Sequence, residues 1–319
     1  MATSSFDSLG LTEITANLAE GFTEKMGRDL VQIFEWGDQN DCVRVIVLTA
    51  DPAASLFCVG ADMKEVMRGS TLLGRTEVRE EDHRDPGGQV ALAIYNNRKV
   101  TIAAVNGNSA GSGFTSLQLP FDFRLTWTGA IISLPFLRLG ILPESISTYL
   151  LSRLIGESRA TSILLNGTVQ KAESPAMSPL YAMILPTRQD VFPRALALAK
   201  DLAMNLSSVS VAYTKGLLHH PGSSPEEHHL LDSRGIKILG ASKDGAEGLK
   251  AFVQRRQPVF QDLLSKNSPK WYPWSLTSCR GYLGHILMFP EERIVEVTAP
   301  DSSCFKDRRP PPPLDEDVD

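Results

Sequence analysis

Two runs of buried-strand sequence, each emptying into a turn of very small residues, constrain this chain more than any other feature. "VRVIVLTA" (43–50) and "KVTIAAVNG" (99–107) are nearly continuous in apolar residues, the pattern of strands covered on both faces in α/β proteins. The first leads to "FCVGADMKEV" (57–66) and the second to "NSAGSGFTSLQLP" (108–120), and each joint opens a helix-forming stretch. At such a joint the first N–H groups of the helix have no internal partner. Residues as small as Gly60, Ala61, Gly111 and Ser112 let a ligand approach those groups closely. Two such turns facing each other would make a pocket with two convergent donors, an oxyanion hole. Packing alone explains either turn taken singly, so the weight rests on the pair.

The rest of the chain repeats the strand–turn–helix rhythm. "FTEKMGRDLVQIFEWGDQND" (22–41) places Met26, Leu30, Ile33 and Phe34 on one helical face. "FDFRLTW" (121–127) is a third strand, and "ESISTYLLSRLIG" (144–156) and "SRATSILLNG" (158–167) each read as a helix stopped by glycine. Such repetition with buried strands predicts an α/β layered domain. Residues 68–88 are polar and glycine-containing, which predicts a surface loop. Residues 193–260 are almost wholly helical in pattern, and the Pro-rich, acidic end of the chain predicts disorder. The expected organisation is an atypical segment at 1–20, a core at 21–192, a helical region at 193–268 and an atypical tail at 269–319.

With 319 residues the chain suffices for one large domain, or one domain with an appendage. A net charge of −5 and the lack of a long Lys/Arg cluster argue against a nucleic-acid partner. Cys42, Cys58, Cys279 and Cys304 are far apart with no CxxC pair, which predicts free thiols in a reducing compartment. There is no apolar run of bilayer length. "MATSSFDSLG" is unlike a signal peptide, and "RRPPPPLDEDVD" is not a Ser-Lys-Leu type address. A cytosolic protein is the expectation from these features.

Four segments, in order, resemble the crotonase (enoyl-CoA hydratase/isomerase) superfamily. "FCVGADMKEV" is similar to its first oxyanion segment, and "IAAVNGNSAGSGFTSLQLPFDFRL" (102–125) to its second. "ISLPFLRLGILPES" (132–145) resembles the family's catalytic turn, and "SKDGAEGLKAFVQRRQPVF" (242–260) its C-terminal signature. The resemblance covers roughly residues 21–262, and within the family fungal-type Δ3,Δ2-enoyl-CoA isomerase/hydratase-like proteins are nearest in pattern. It implies a spiral of β-β-α units followed by a helical trimerisation region, hence a homotrimer or hexamer. It implies an acyl-CoA thioester substrate, with coenzyme A part of the substrate and no separate cofactor. The oxyanion donors would be the backbone N–H groups of Ala61 and Ser112. Val59, Gly60, Asp62, Met63, Gly111, Thr115 and Phe136 would line the substrate and its CoA arm. Peroxisomal residence is implied by relatives only.

Which reaction follows depends on carboxylates. The family's hydratases use two glutamates to position and activate one water, and those positions align with Thr115 and near Phe136 here. A 3-to-2 double-bond shift needs one base with a pKa near neutrality in an apolar pocket. The family's isomerases carry that base in a turn matched here by "LGILPES", which supplies Glu144. Glu144 also reads as a first-turn helix acid after Pro143. The leading expectation is an isomerase of 3-enoyl-CoA esters, in fatty-acid metabolism or secondary-metabolite biosynthesis. The second is a hydratase or lyase, which a further carboxylate from Glu65 or the 77–82 acidic loop would favour. The third is a non-catalytic CoA-binding subunit, motivated by "LTEITANLAEGFTEKM" (11–26), where the family's opening hairpin appears to be missing and a strand edge would be left exposed.

Other chemistry-bearing residues read as structural. His219, His220, His228 and His229 fit no zinc spacing and suit a polar helix–helix connection, so no metal is expected. Cys58 lacks an evident base. Asp62 suits a helix cap and Asp122 a turn or ion pair, while Lys250, Arg255 and Arg256 suit a solvated helix face.

Overall fold

A computed structural model of the protein describes residues 2–6, 11–16, 21–68, 79–269 and 272. The chain forms two compact units, Met1–Ala203 and Met204–Asp319.

The first unit is built on two sheets. Strands β1 (Ala2–Phe6) and β2 (Leu11–Ala16) form an antiparallel hairpin. Helix α1 (Glu24–Gln39) leads to β3 (Val45–Ala50), β4 (Leu56–Cys58) and the short α2 (Met63–Met67). After α3 (Pro86–Tyr95) come β5 (Val100–Ala104), β6 (Asn108–Ala110) and α4 (Ser112–Thr115). Then follow β7 (Phe123–Trp127), β8 (Ile131–Ser133), α5 (Ser147–Ile155) and α6 (Glu157–Asn166). Strands β9 (Gln170–Lys171) and β10 (Met183–Leu185) precede α7 (Val191–Asn205).

The larger sheet has the order β1-β2-β3-β5-β7-β10 and the smaller β4-β6-β8-β9. From β2 onward the larger sheet is parallel, as is β4-β6-β8. The pairs β3/β4, β5/β6 and β7/β8 each give one strand to either sheet before the chain turns into a helix, which is a spiral of β-β-α units. The apolar runs explain the interior positions: every residue of β3 and of β5 is buried. Helix α1 lays Leu30 and Phe34 over this sheet, where they join Ile46, Leu48, Val90 and Ile94 in one core. A second core gathers Phe114, Leu134, Phe136, Leu150 and Ile163 around the smaller sheet.

The opening hairpin expected to be missing is present. Strand β2 runs parallel to β3 from Leu11↔Val45 to Ala16↔Ala50, so the β3 edge is covered. "LTEITA" lacks a continuous apolar run and the family's usual segment between hairpin and helix. Its strand character comes from pairing with β3, a partner distant in sequence, which local propensity does not report. The expected loop at 68–88 ends at Asp85, where α3 is capped, and residues 69–78 lie outside those described.

The second unit carries α8 (Ser208–His219), α9 (Pro225–Gly240), α10 (Lys243–Val253) and α11 (Leu264–Asn267). The C-terminal signature is a local clasp: Asp244 accepts from the N–H groups of Gln261 (2.6 Å) and Asp262 (3.0 Å). Glu247 pairs with Arg256 at 2.6 Å and accepts from Val259 N–H at 2.9 Å, which gives this arginine a structural role. Of the tail expected at 269–319, Tyr272 stacks on Tyr213 and donates to Ala212 O at 3.0 Å, and residues 273–319 lie outside those described.

Leu48 is fully buried in the middle of the larger sheet. Leu48→Ala is expected to cost about 2–5 kcal/mol, seen as a lower denaturant midpoint with an unchanged slope.

Candidate active site

The two small-residue turns pack directly against each other. Parallel pairing of β4 with β6 (Leu56↔Asn108, Cys58↔Ser109) brings both joints to the same end of the smaller sheet. Gly60 (φ +89°) and Gly111 (φ +49°) have left-handed backbones that a Cβ would strain. Space demands glycine there as well, since a Cβ on Gly60 would stand 2.8 Å from Ala110 O. A Cβ on Gly113 would stand 2.5 Å from Cys58 O. Phe22 clamps the first turn by donating its N–H to Gly60 O (2.7 Å) and accepting from Asp62 N–H (3.0 Å). Among the described residues no acceptor takes the N–H of Ala61 or of Ser112. The paired turns therefore leave two main-chain N–H groups, of Ala61 and Ser112, without a protein acceptor among the described residues.

Glu144 reaches this place from another part of the chain. It is not a first-turn helix acid: α5 begins at Ser147, and the intervening Ser145 (φ 62°) and Ile146 (φ 52°) both have left-handed backbones. A β-branched residue in that conformation is a genuine outlier, and such strain gathers where a side chain must be aimed. The carboxyl is half-buried and held at both oxygens. Thr115 Oγ1 donates to Oε1 at 2.7 Å, and Ser145 Oγ donates to Oε2 at 2.6 Å. Ser145 Oγ lies 2.7 Å from Ser116 Oγ, so a second hydroxyl backs the first. Thr115 lies three residues beyond Ser112 on α4, so its hydroxyl links Glu144 to the short helix that opens the second small-residue turn.

Burial pushes the Glu144 carboxyl up to about 7, and the neighbouring Asp85 adds to the rise while the Ser145 and Thr115 hydroxyls oppose it. Asp85 is the site residue that sequence reasoning missed. It lies just past the 77–82 acidic loop and caps α3, accepting from Gly88 N–H at 2.5 Å. The "DPGG" start at 85–88 is a legible helix opening, a capping Asp followed by Pro, but only the fold brings that helix end to Glu144. Gly87 makes the approach possible, because a Cβ there would collide with Glu144 Oε2 and crowd Ser145 Oγ and Ser116 Oγ.

The other expected lining residues border the paired turns. Val59 and Met63 are exposed beside Gly60 and Ala61. Asp62 caps α2, accepting from Lys64 N–H at 2.8 Å, as its sequence context predicts. Phe136 is buried, and its ring edge stands 3.8 Å from where a Cβ on Gly111 would lie. Glu65 turns away from Glu144, accepting from Glu24 N–H at 3.2 Å. Cys58 is buried and its thiol is pushed up to about 12, which removes it as a nucleophile. Asp122 is a turn residue, accepting from Thr101 N–H at 2.8 Å. Among the described residues no group of His, Cys, Asp and Glu could hold a metal ion, and no helix is long and apolar enough to cross a membrane.

Comparison with known proteins places the chain in a family. The sequence pattern of the family described as enoyl-CoA hydratase/isomerase matches residues 12–263. An enoyl-CoA hydratase of Alternaria alternata is 39% identical over 246 residues, 77% of this chain and 80% of that protein. A mevalonyl-coenzyme A hydratase of Beauveria bassiana is 29% identical, over 81% of this chain and 94% of its own length. The crystal structure of an enoyl-CoA hydratase from Bacillus anthracis superposes with a TM-score of 0.69 at 25% identity, covering 81% of this chain and 98% of that one.

Two variants test the site. Gly87→Ala should leave a folded protein in which the Glu144 carboxylate is displaced, read as a loss of thioester chemistry without a loss of helix content. The raised pKa of Glu144 favours the protonated, folded form below its unfolded value, and this contribution is lost as pH rises from about 4.5 through about 7. Glu144→Gln removes the loss, so it should be more stable than wild type at pH 8 by about 2 kcal/mol, with the difference vanishing near pH 4 in parallel melts.

Proposed function

The chain belongs to the enoyl-CoA hydratase/isomerase family, and from that premise we propose that it shifts the double bond of a 3-enoyl-CoA to the 2-position. Glu144 takes a proton from C2, the electron pair spreads through the dienolate onto the thioester oxygen, and Glu144 returns a proton at C4. The N–H groups of Ala61 and Ser112 hold the oxyanion, each donor contributing roughly 10²–10³ in rate. The observation that carries this reading is the placement of Glu144: a carboxyl raised to about 7, fixed by two hydroxyls, one helical turn from the Ser112 donor. A base with a pKa near the working pH is suited to both taking and returning a proton.

In this reading Val59, Gly60, Asp62 and Met63 border the CoA arm, while Gly111, Thr115 and Phe136 border the acyl group. Assembly as a trimer or hexamer through the C-terminal helices, and a place in fatty-acid or secondary metabolism, belong to the same reading as family expectations. The present opening hairpin removes the reason for treating the chain as a non-catalytic subunit. Hydration of a 2-enoyl-CoA is the second reading. It is favoured by the carboxyl of Asp85 beside Glu144, and by relatives that bear the name hydratase.

A paired assay decides. Wild type is expected to conjugate a 3-enoyl-CoA with an acid limb near pH 7, and Glu144→Gln to lose about 10²–10⁴ of the rate. Hydration of a 2-enoyl-CoA with no conjugation of the 3-enoyl ester would replace the isomerase reading by the hydratase one. A folded protein that turns over neither ester would refute both.

A further inference from the structure

The two carboxyl oxygens of Glu144 are held by hydroxyls that differ in what else they can reach, and each hydroxyl has one proton to give. Thr115 Oγ1 donates to Oε1 at 2.7 Å, and Gly111 O lies 3.3 Å from the same Oγ1 as a second acceptor. Gly111 O already accepts from the N–H groups of Phe114 (2.9 Å) and Thr115 (3.1 Å), so the bond to Oε1 is the stronger while Glu144 is ionised. Ser145 Oγ donates to Oε2 at 2.6 Å, which uses its one proton. The 2.7 Å contact between Ser145 Oγ and Ser116 Oγ is therefore a bond donated by Ser116. Among the described residues Ser116 Oγ has no other partner. Both serines are buried. The backbone of Gly87 covers this corner: a Cβ there would collide with Oε2 and stand 2.6 Å from Ser145 Oγ and 2.7 Å from Ser116 Oγ.

A proton arriving at Glu144 thus meets two different situations. On Oε2 it would make Ser145 turn its own proton toward Ser116 Oγ, and the Ser116 proton would then be buried without an acceptor, which is costly. On Oε1 it asks only that Thr115 turn its proton to Gly111 O and accept from the new Oε1–H. The bonds from Ser116 to Ser145 and from Ser145 to Oε2 then stay as they are. We propose that Oε1 is the oxygen with which Glu144 takes and returns the proton, and that the Thr115 hydroxyl switches with it, donating to Oε1 in the ionised base and to Gly111 O in the protonated acid. This rests on the double-bond shift proposed above. In that reaction the C2–H bond breaks, its electron pair enters the dienolate, and Oε1–H forms. Oε1–H then breaks as C4–H forms, and the Thr115 hydroxyl swings back with its own proton still in place. Thr115 acts on Glu144 and not on the substrate, so it is a positioning residue. Gly111 precedes Ser112, so the hydroxyl that follows the proton is anchored on the turn that holds the oxyanion.

Three variants of the full chain test the switch. Thr115→Val keeps the shape and removes the hydroxyl, Thr115→Ser restores it, and Ser145→Gly removes the other donor at a left-handed position that suits glycine. Asp85 at the start of α3 and the Cys58 thiol on β4 are the ionisable neighbours of Glu144, and none of the variants alters them. Isotope-edited infrared difference spectra across the Glu144 titration, assigned with Glu144→Gln, read the C=O stretch of the protonated carboxyl. A proton on Oε1 makes Oε2 the carbonyl oxygen, so the stretch should rise more in Ser145→Gly than in Thr115→Val. The opposite order places the proton on Oε2 and overturns the proposal. Conjugation of a 3-enoyl-CoA should fall roughly tenfold in kcat in Thr115→Val, about the worth of one hydrogen bond to a charged group, with KM little changed. Its acid limb should move up by about one pH unit, because the charged form of the base has lost a donor. Thr115→Ser should return both to wild-type values. A Thr115→Val variant with wild-type kcat and an unmoved acid limb overturns the switch, whatever the infrared order. Wild type that conjugates no 3-enoyl-CoA refutes the reading on which the inference rests, and the infrared order then still decides which oxygen carries the proton.

Discussion

The structure around the site is organised by one constraint, a carboxyl placed out of water with no cation among the groups that shift it. Desolvation disfavours the charged form of Glu144, and only hydrogen bonds to that form oppose it. Thr115 and Ser145 supply them, and each is in turn set by something costly or rigid. Thr115 sits on the short helix that opens the second small-residue turn. Ser145 owes its direction to a pair of left-handed residues. A carboxyl free to rotate would escape toward solvent and regain an ordinary acidity. The strained backbone at 145–146 keeps it facing the donors instead.

The same economy of space governs the oxyanion side. Two main chains can present N–H groups to one atom only if they come closer than side chains normally permit. Gly60 and Gly113 each sit where a Cβ would press on the neighbouring segment, Gly111 has a left-handed backbone, and Gly87 sits where a Cβ would press on Glu144. Gly60 and Gly87 follow β4, Gly111 and Gly113 follow β6, and the parallel pairing of β4, β6 and β8 stacks these joints side by side. Donors and base are thus brought together by sheet geometry, which explains why the smaller sheet consists of very short strands. It needs only enough pairing to align the turns.

Asp85 shows how close a purely structural bond can lie to the buried carboxyl. It caps α3 by accepting from Gly88 N–H, and its nearness adds to the rise that burial imposes on Glu144. The same helix start supplies Gly87, whose lack of a side chain leaves room for Glu144 Oε2.

Much was legible in the residues themselves. Continuous apolar runs located the buried strands and the small-residue joints that follow them, because both depend on neighbours in the chain, while Glu144 came into view through the resemblance of "LGILPES" to a family turn. The opening hairpin was not legible, since "LTEITA" becomes a strand by pairing with β3 rather than by its own pattern. Nor was the placement of Glu144 ahead of α5, because two left-handed non-glycine residues run against local preference and persist only where packing imposes them. The sequence by itself determined which groups could donate, accept and ionise. Only the tertiary structure decided that Glu144 meets the Thr115 hydroxyl and is withdrawn from water, because that meeting depends on the packing of segments far apart in the chain, and burial converts a common acid into one that holds its proton near neutrality.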